Sequence, residues 1–393
     1  MKHYTYIIIG GGMTGDAAAR GIRELDPLGS IALIGYETDM PYARPPLTKG
    51  MWKGRPFAKV WRGTEKLNVD FYLGREATKL NPTSKRVRDD HGDEYTYDKL
   101  LLATGGSPIH LPFGDEHIIY FRTLRDFERL RALVERKERF LVIGAGYIGS
   151  EIAAALKMQG RKVSVVFKGH SIGENVYPPD LSQYLNDFYK KKGVELFPGD
   201  TLIGLEENTG GLLGTTQGGH TFKVDGVVAG LGIRPNMELA KFAGMKIEDG
   251  IVVDDRLYTS APDIFAAGDV AMFPHPTLGR SIRVEHEDNA LIMGKQAGRN
   301  MAGAGEAYNH TPYFYSDLFE LGYEAVGELS SKMEIFSDWQ DPFKKGVIYY
   351  LKDGRVRGVL LWNVWEKLKE ATALIGETGP FKPQDLKGRI TSG

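Results

Sequence analysis

The chain has 393 residues and no cysteine. It forms no disulfide, no sulfenic acid and no thiolate charge-transfer pair. Disulfide reductases, thiol peroxidases and cysteine-dependent oxidases are therefore excluded as functions. Charge imbalance is also lacking: 50 Lys and Arg face 51 Asp and Glu, for a formal charge of −1. Nothing in that balance argues for a nucleic-acid partner. No apolar run approaches the ~18 residues of a membrane span. The first strand-like run starts by Tyr4, which leaves no room for a signal or transit peptide. The expectation is a cytoplasmic protein. The chain is too long for one core, so two or three domains are expected.

Glycine is abundant, at 49 residues, and its placement is informative. The apolar run Tyr6-Ile7-Ile8-Ile9 leads into Gly10-Gly11-Gly12-Met13-Thr14-Gly15. The run Phe140-Leu141-Val142-Ile143 leads into Gly144-Ala145-Gly146-Tyr147-Ile148-Gly149. Each reads as a buried strand, a Gly-rich turn and a helix start. Such a turn lets a pyrophosphate approach the backbone, and the helix N-terminus offers N–H donors. One such motif is weak; two in the same context imply two nucleotides and electron transfer between them. The first has its acidic partner, because Ile31-Ala32-Leu33-Ile34 ends at Gly35-Tyr36-Glu37. Glu37 lies ~20 residues past the fingerprint, where a carboxylate accepts ribose hydroxyls. A third motif, Ile264-Phe265-Ala266-Ala267-Gly268-Asp269, places Asp269 to bond a polyol. An adenine nucleotide with a polyol means FAD at the first site.

Residues 1–36 read as β–turn–α–β. Prolines make 40–49 a rigid loop that fixes Arg44 and Lys49. Val69–Val87 reads as two strands joined by the Asn81-Pro82-Thr83 turn. A buried strand, Leu100 to Ala103, ends at Thr104-Gly105. The second unit adds the strand Lys162–Phe167 and a helix over Leu181–Lys191. From Tyr313 the pattern turns to alternating strands (Tyr323–Leu329, Gly346–Leu351, Arg355–Leu361) and a helix over Trp365–Ile375. The expected fold class is α/β, with two Rossmann-like domains, for FAD and NAD(P), and a C-terminal α+β domain. The expected boundaries are 1–112 and 241–311 for the FAD domain, 113–240 for the NAD(P) domain and 312–393 for the last.

These motifs resemble the FAD-dependent NAD(P)H reductases of the glutathione-reductase superfamily. Within it, the chain is similar to the branch of apoptosis-inducing factor and the putidaredoxin-reductase-like ferredoxin reductases, with monodehydroascorbate reductase a near cousin. The residues that carry this are Pro41 to Lys49, Ala103-Thr104-Gly105-Gly106, Arg122-Thr123-Leu124, Gly232-Ile233-Arg234-Pro235-Asn236, Val284-Glu285-His286, Tyr315-Ser316-Asp317, Gly322-Tyr323-Glu324 and Leu361-Trp362-Asn363.

The resemblance implies site residues. Arg44, Lys49, Arg122, Asp269 and His286 would contact FAD, and Ala77 would offer its backbone to the adenine. Lys49 would sit by flavin N5 and pair with Glu151. A cation there favours the reduced flavin, and a carboxylate keeps a buried lysine charged. Tyr315 would lie against the isoalloxazine. Glu285, Glu324 and Asn363 match cofactor-contacting positions, although each reads equally well as an ordinary interface residue. The strand at 162–167 ends in Lys168-Gly169-His170 without the acid common in NAD-preferring relatives. Lys168 and His170 suit a 2′-phosphate and lean the reading to NADPH. Glu174 lies close by and suits a ribose, so NADH stays open.

The function implied is a flavoprotein reductase that takes a hydride from NAD(P)H onto FAD. It would pass electrons to a ferredoxin, a rubredoxin or a quinone. The alternative is a redox-sensing interaction protein that forms a long-lived charge-transfer complex. No metal ligands are singled out, and homodimerisation stays open.

Overall fold

Ile7, Ile8 and Ile9 are buried on both faces of their strand, as parallel sheets with covered faces require. The structure, a computed structural model, describes residues 1–391. Lys2–Ile9 pairs in parallel with Ile31–Gly35 on one side and Glu94–Leu102 on the other. Asp70–Leu73 extends the sheet beyond Ile31–Gly35, and Ile264–Ala266 pairs with Glu94–Leu102. The antiparallel strands Arg86–Asp89 and Ala77–Asn81 complete it. The chain divides into two compact units, and this sheet belongs to the one formed by Met1–Arg44, Pro56–Ser107 and Arg234–Pro312.

Two helices of this unit, Met13–Leu25 and Glu287–Met301, approach each other through small residues. A Cβ on Gly21 would strike the Lys295 backbone; one on Gly298 would strike Ala18, and one on Gly294 would strike Thr14. Any larger residue at these three positions would push the helices apart. Their close packing puts the Gly268 turn directly against Thr14.

The second unit holds Pro45–Arg55, Pro108–Ile233 and the chain from Tyr313 on. Its five-stranded parallel sheet runs Val194–Pro198, Lys162–Phe167, Arg139–Ile143, Gly226–Ala229, Ile118–Tyr120. The helix Leu124–Arg136 starts at a capping box made by Thr123 and Asp126, which satisfies two otherwise orphan N–H groups. A three-stranded antiparallel sheet spans residues 202–224. From Tyr313 the chain forms a five-stranded antiparallel sheet, in the order Tyr313–Leu318, Leu321–Gly327, Arg355–Trp362, Lys345–Lys352, Glu334–Asp341. Leu368–Gly376 packs on it with Ala371, Leu374 and Ile375 buried. The α/β class with a C-terminal sheet domain is as expected from the sequence.

Two sequence expectations are corrected. Val69–Val87 contains three strands rather than two. Gly74, at φ +67°, ends the first; its own N–H donates to the Glu37 carbonyl, and the Arg75 N–H donates to the Gly35 carbonyl. The last long helix starts at Leu368 instead of Trp365. Glu366 sits at φ +63°, a left-handed conformation that a helix cannot include.

Candidate functional site

The first fingerprint shows what each glycine is for. Gly10 has φ +127°, and a Cβ there would overlap the Ala103 carbonyl. One on Gly15 would overlap the Gly10 carbonyl. Gly12 is different: its backbone is extended (φ −87°, ψ −167°), and a Cβ would meet only an Arg44 nitrogen at 4.0 Å. The protein gives no steric reason for that glycine, whereas a ligand lying against the turn does. The second fingerprint repeats the pattern. Gly144 (φ +98°) and Gly149 are pressed against the backbone, and a Cβ on Gly146 would meet nothing within 4 Å. Both turns fit a dinucleotide pyrophosphate.

Around the first turn stand the side chains that would hold FAD. Glu37 accepts from Arg44 and from the Tyr42 hydroxyl at 2.5 Å. Burial works to lower the Arg44 pKa, but Tyr42, Glu37 and Asp269 outweigh it, so the guanidinium is held more firmly charged than usual. Asp269 follows Gly268, which adopts φ +77°. Its carbonyl accepts from Arg283 at 3.0 Å, and Arg283 also bonds the Glu285 carboxylate at 2.5 Å. His286 precedes the helix Glu287–Met301. Burial pushes its pKa down to about 4, although Asp269 and Asp288 pull the other way. Thr104 and Gly105 clasp Asn236: the Thr104 hydroxyl donates to the Asn236 carbonyl at 2.7 Å, and Asn236 N–H donates to Gly105 at 2.9 Å. Ala77 opens a strand opposite Asp89, just after the loop tied to Gly35 and Glu37.

The second unit contains a buried charged cluster. Glu151, the fifth residue of the helix Tyr147–Met158, is 3% exposed. Its Oε2 accepts from Lys49 Nζ at 2.8 Å and from the Thr48 hydroxyl at 2.6 Å. Its Oε1 accepts from the Ser316 hydroxyl at 2.5 Å. Three donors thus converge on one buried carboxylate, and one of them, Lys49, makes an ion pair with it. The ammonium also lies 5.2 Å from the centre of the Tyr315 ring, a cation–π distance. Tyr315 is 38% exposed and pairs across the sheet with Glu324. The sequence pointed to Lys49, Glu151 and Tyr315, and the structure brings them together. Thr48 and Ser316 carried no signal of their own, because single hydroxyls in a loop and a strand have none.

Other expected residues stand in the same unit. Oε2 of Glu324 is buried without a hydrogen-bond partner, and burial raises the pKa of this carboxyl group. A buried orphan oxygen fits a ligand that supplies the missing partner. Asn363 has a structural occupation: its side chain accepts from Gly322 N–H at 2.8 Å and donates to the Lys344 carbonyl at 2.7 Å. Gly232 adopts φ +89° and receives Ile109 N–H at 3.0 Å. Arg122 bonds Asp126 through its backbone N–H. Ile148 is exposed in the first turn of the helix Tyr147–Met158, and Lys168 and His170 are exposed past the strand Lys162–Phe167. Among the described residues no group of three acids, histidines or cysteines could hold a metal ion, and no helix is long and apolar enough to cross a membrane.

Residues 4–294 match the pyridine nucleotide-disulphide oxidoreductase description. The chain belongs to that family. Segments 297–340 and 331–377 match the C-terminal region of mitochondrion-associated apoptosis-inducing factor. Apoptosis-inducing factor 1 of Dictyostelium discoideum is 34% identical over 95% of this chain and 79% of its own length. Monodehydroascorbate reductase 3 of Arabidopsis thaliana is 31% identical, over 96% of this chain and 94% of its own. Putidaredoxin reductase of Pseudomonas putida is 30% identical, over 97% and 93%. The solved covalent putidaredoxin reductase–putidaredoxin complex superposes with a TM-score of 0.91 at 29% identity, covering 98% of this chain and 96% of that one. This member of the family is an FAD-dependent NAD(P)H oxidoreductase. It differs from what the family name suggests in having no cysteine to carry disulfide chemistry.

Proposed function

We propose that this protein supplies electrons from NAD(P)H, by way of FAD, to a small iron–sulfur protein of the ferredoxin type. The observation that carries the proposal is the buried Lys49–Glu151 pair in a chain without a thiol. With both nucleotides bound, the chemistry supplied is hydride transfer from nicotinamide to isoalloxazine, which needs positioning and no protein nucleophile. The chain's own residues do the rest. Glu151 fixes the position of the Lys49 ammonium through the ion pair, Thr48 and Ser316 hold Glu151 in place, and the fixed cation favours negative charge gathering beside it. Glu37, Arg44, Asp269 and His286 anchor the nucleotide at the first fingerprint. Similarity to putidaredoxin reductase supports an iron–sulfur acceptor.

The C-terminal match favours a second reading, a redox-responsive interaction protein like apoptosis-inducing factor. The test is anaerobic reduction with NADH or NADPH, then mixing with a putidaredoxin-type [2Fe–2S] ferredoxin. Rapid reoxidation, with cytochrome c reduction that depends on added ferredoxin, is expected. A reduced protein that outlasts ferredoxin, rubredoxin and quinone for minutes, with a long-wavelength absorption band, overturns the proposal in favour of the second reading.

A further inference from the structure

We infer that Glu174, reaching back over Gly169, selects the adenosine ribose at the second fingerprint and makes this protein an NADH enzyme that rejects the 2′-phosphate of NADPH. The inference rests on the reading that the second fingerprint takes NAD(P)H, and it deepens that reading.

The strand Lys162–Phe167 lies beside Arg139–Ile143 in parallel register. Gly144 N–H, at the start of the fingerprint, donates to the Val166 carbonyl at 2.9 Å. The residues just past Phe167 therefore stand next to the pyrophosphate turn. In a Rossmann unit this is where an acid meets the ribose hydroxyls of NAD, or a cation meets the 2′-phosphate of NADP. The sequence offers Lys168, Gly169 and His170 there, which leans toward the phosphate.

The geometry points the other way. Gly169 has no left-handed backbone that would call for glycine. A side chain is excluded because the space is taken: a Cβ would stand 2.5 Å from the carboxyl carbon of Glu174 and 2.9 Å from its Oε2. Glu174 thus puts its carboxylate where a side chain at 169 would begin. The carboxylate has come from a different place in the sequence to the same place in space.

It is also held there. His170 N–H donates to Oε2 at 2.6 Å. The loop is tied to the fingerprint itself, since Gly173 N–H donates to the Ala145 carbonyl at 3.1 Å. Asn186 clamps the loop's other side: it accepts from Ile172 N–H and donates to the His170 carbonyl, both at 3.0 Å. Ile172 and Tyr177 are buried beneath it. Oε1 has no protein donor among the described residues, so it is the oxygen left to accept from a ribose hydroxyl. Lys168 and His170 are exposed, and attraction from solvated cations is screened. A carboxylate fixed by its surroundings outweighs them. A 2′-phosphate brings a charge of roughly −1.5 to −2 against it, and a like-charge contact of that kind corresponds to about 10²-fold in affinity.

The test uses the FAD-loaded protein and two ligands that carry no nicotinamide, ADP-ribose and 2′-phospho-ADP-ribose, titrated calorimetrically. Anaerobic reduction rates with NADH and NADPH accompany the titrations. Wild type is expected to bind ADP-ribose about 10²-fold more tightly than its 2′-phosphate. Glu174→Gln keeps the acceptor for His170 N–H but removes the charge. It should bind ADP-ribose about tenfold more weakly and lose most of the discrimination. The relocation variant Gly169→Glu with Glu174→Gly should retain the preference for ADP-ribose. Tighter binding of the 2′-phosphate by wild type, or discrimination that survives Glu174→Gln, overturns the assignment of Glu174 alone. Failure of wild type to bind either ligand overturns the reading of the second fingerprint as well.

Discussion

Lys49 and Glu151 lie 102 positions apart in sequence and meet at 2.8 Å, with Glu151 almost fully buried. Removing one partner leaves a buried charge uncompensated, which costs ~3–5 kcal/mol in a dry site. The two hydroxyls that remain on Glu151 put Lys49→Met at the low end of that range. Both Lys49→Met and Glu151→Leu should slow flavin reduction in anaerobic stopped-flow traces. The double variant should be no less stable in urea than either single one. If the two losses simply add, the residues do not interact.

Thr48 and Ser316 make a second, separable prediction. Each hydroxyl donates to a buried carboxylate oxygen, and leaving such an oxygen short of a donor costs ~1–3 kcal/mol. Ser316→Ala and Thr48→Val should each lower unfolding free energy by about that much. In a Glu151→Leu background the same changes should cost almost nothing, because the acceptor is gone. A Ser316→Ala loss that is unchanged in that background assigns the serine to packing alone.

The parts of this protein that were legible in sequence are those where one residue type at one spacing has one physical meaning. A fully buried run of Ile or Val before a Gly-rich turn has few structures open to it, and both fingerprints formed as read. What was not legible depends on chain segments meeting in space. Glu174 fills the place of a residue five positions earlier, and no strand-end motif announces that. Ser316 reaches Glu151 across 165 positions. The strands at 202–224 are short and interrupted by Gly210 and Gly211, so their alternation did not stand out. Asn363 shows the converse: the resemblance offered a cofactor contact, and the structure shows its side chain bonded to Gly322 and Lys344.

The glycines at 12 and 146 should behave unlike their neighbours. A Cβ at either position meets no backbone and no strained φ. Gly12→Ala and Gly146→Ala should therefore leave the stability of the cofactor-free protein within ~0.5 kcal/mol of wild type. Gly12→Ala should still lose FAD during purification, measured as the 450 nm absorbance per chain. Gly146→Ala should keep its FAD and bind ADP-ribose more weakly. Gly15→Ala, whose Cβ would overlap the Gly10 carbonyl, should fail to fold stably. Full FAD retention by Gly12→Ala would show that the first turn is not where the pyrophosphate lies.

His286 sets a pH dependence whose sign follows from its surroundings. Burial lowers its pKa to about 4, from the ordinary value of 6.5, and Asp269 and Asp288 only partly offset this. The positive end of the helix Glu287–Met301 also disfavours the imidazolium. Between pH 6.5 and 4 the unfolded chain binds a proton at this residue that the folded protein refuses. Stability is therefore fully present above about pH 6.5 and falls as pH drops toward 4. The residue as a whole is only partly buried, so the loss across that window is on the order of 1–2 kcal/mol. His286→Asn removes the titration and should flatten that part of the curve of melting temperature against pH. The comparison is wild type against His286→Asn at pH 7.5 and pH 5. Parallel curves for the two proteins would mean that His286 does not titrate in this window, and that other groups carry the acid sensitivity of the first unit.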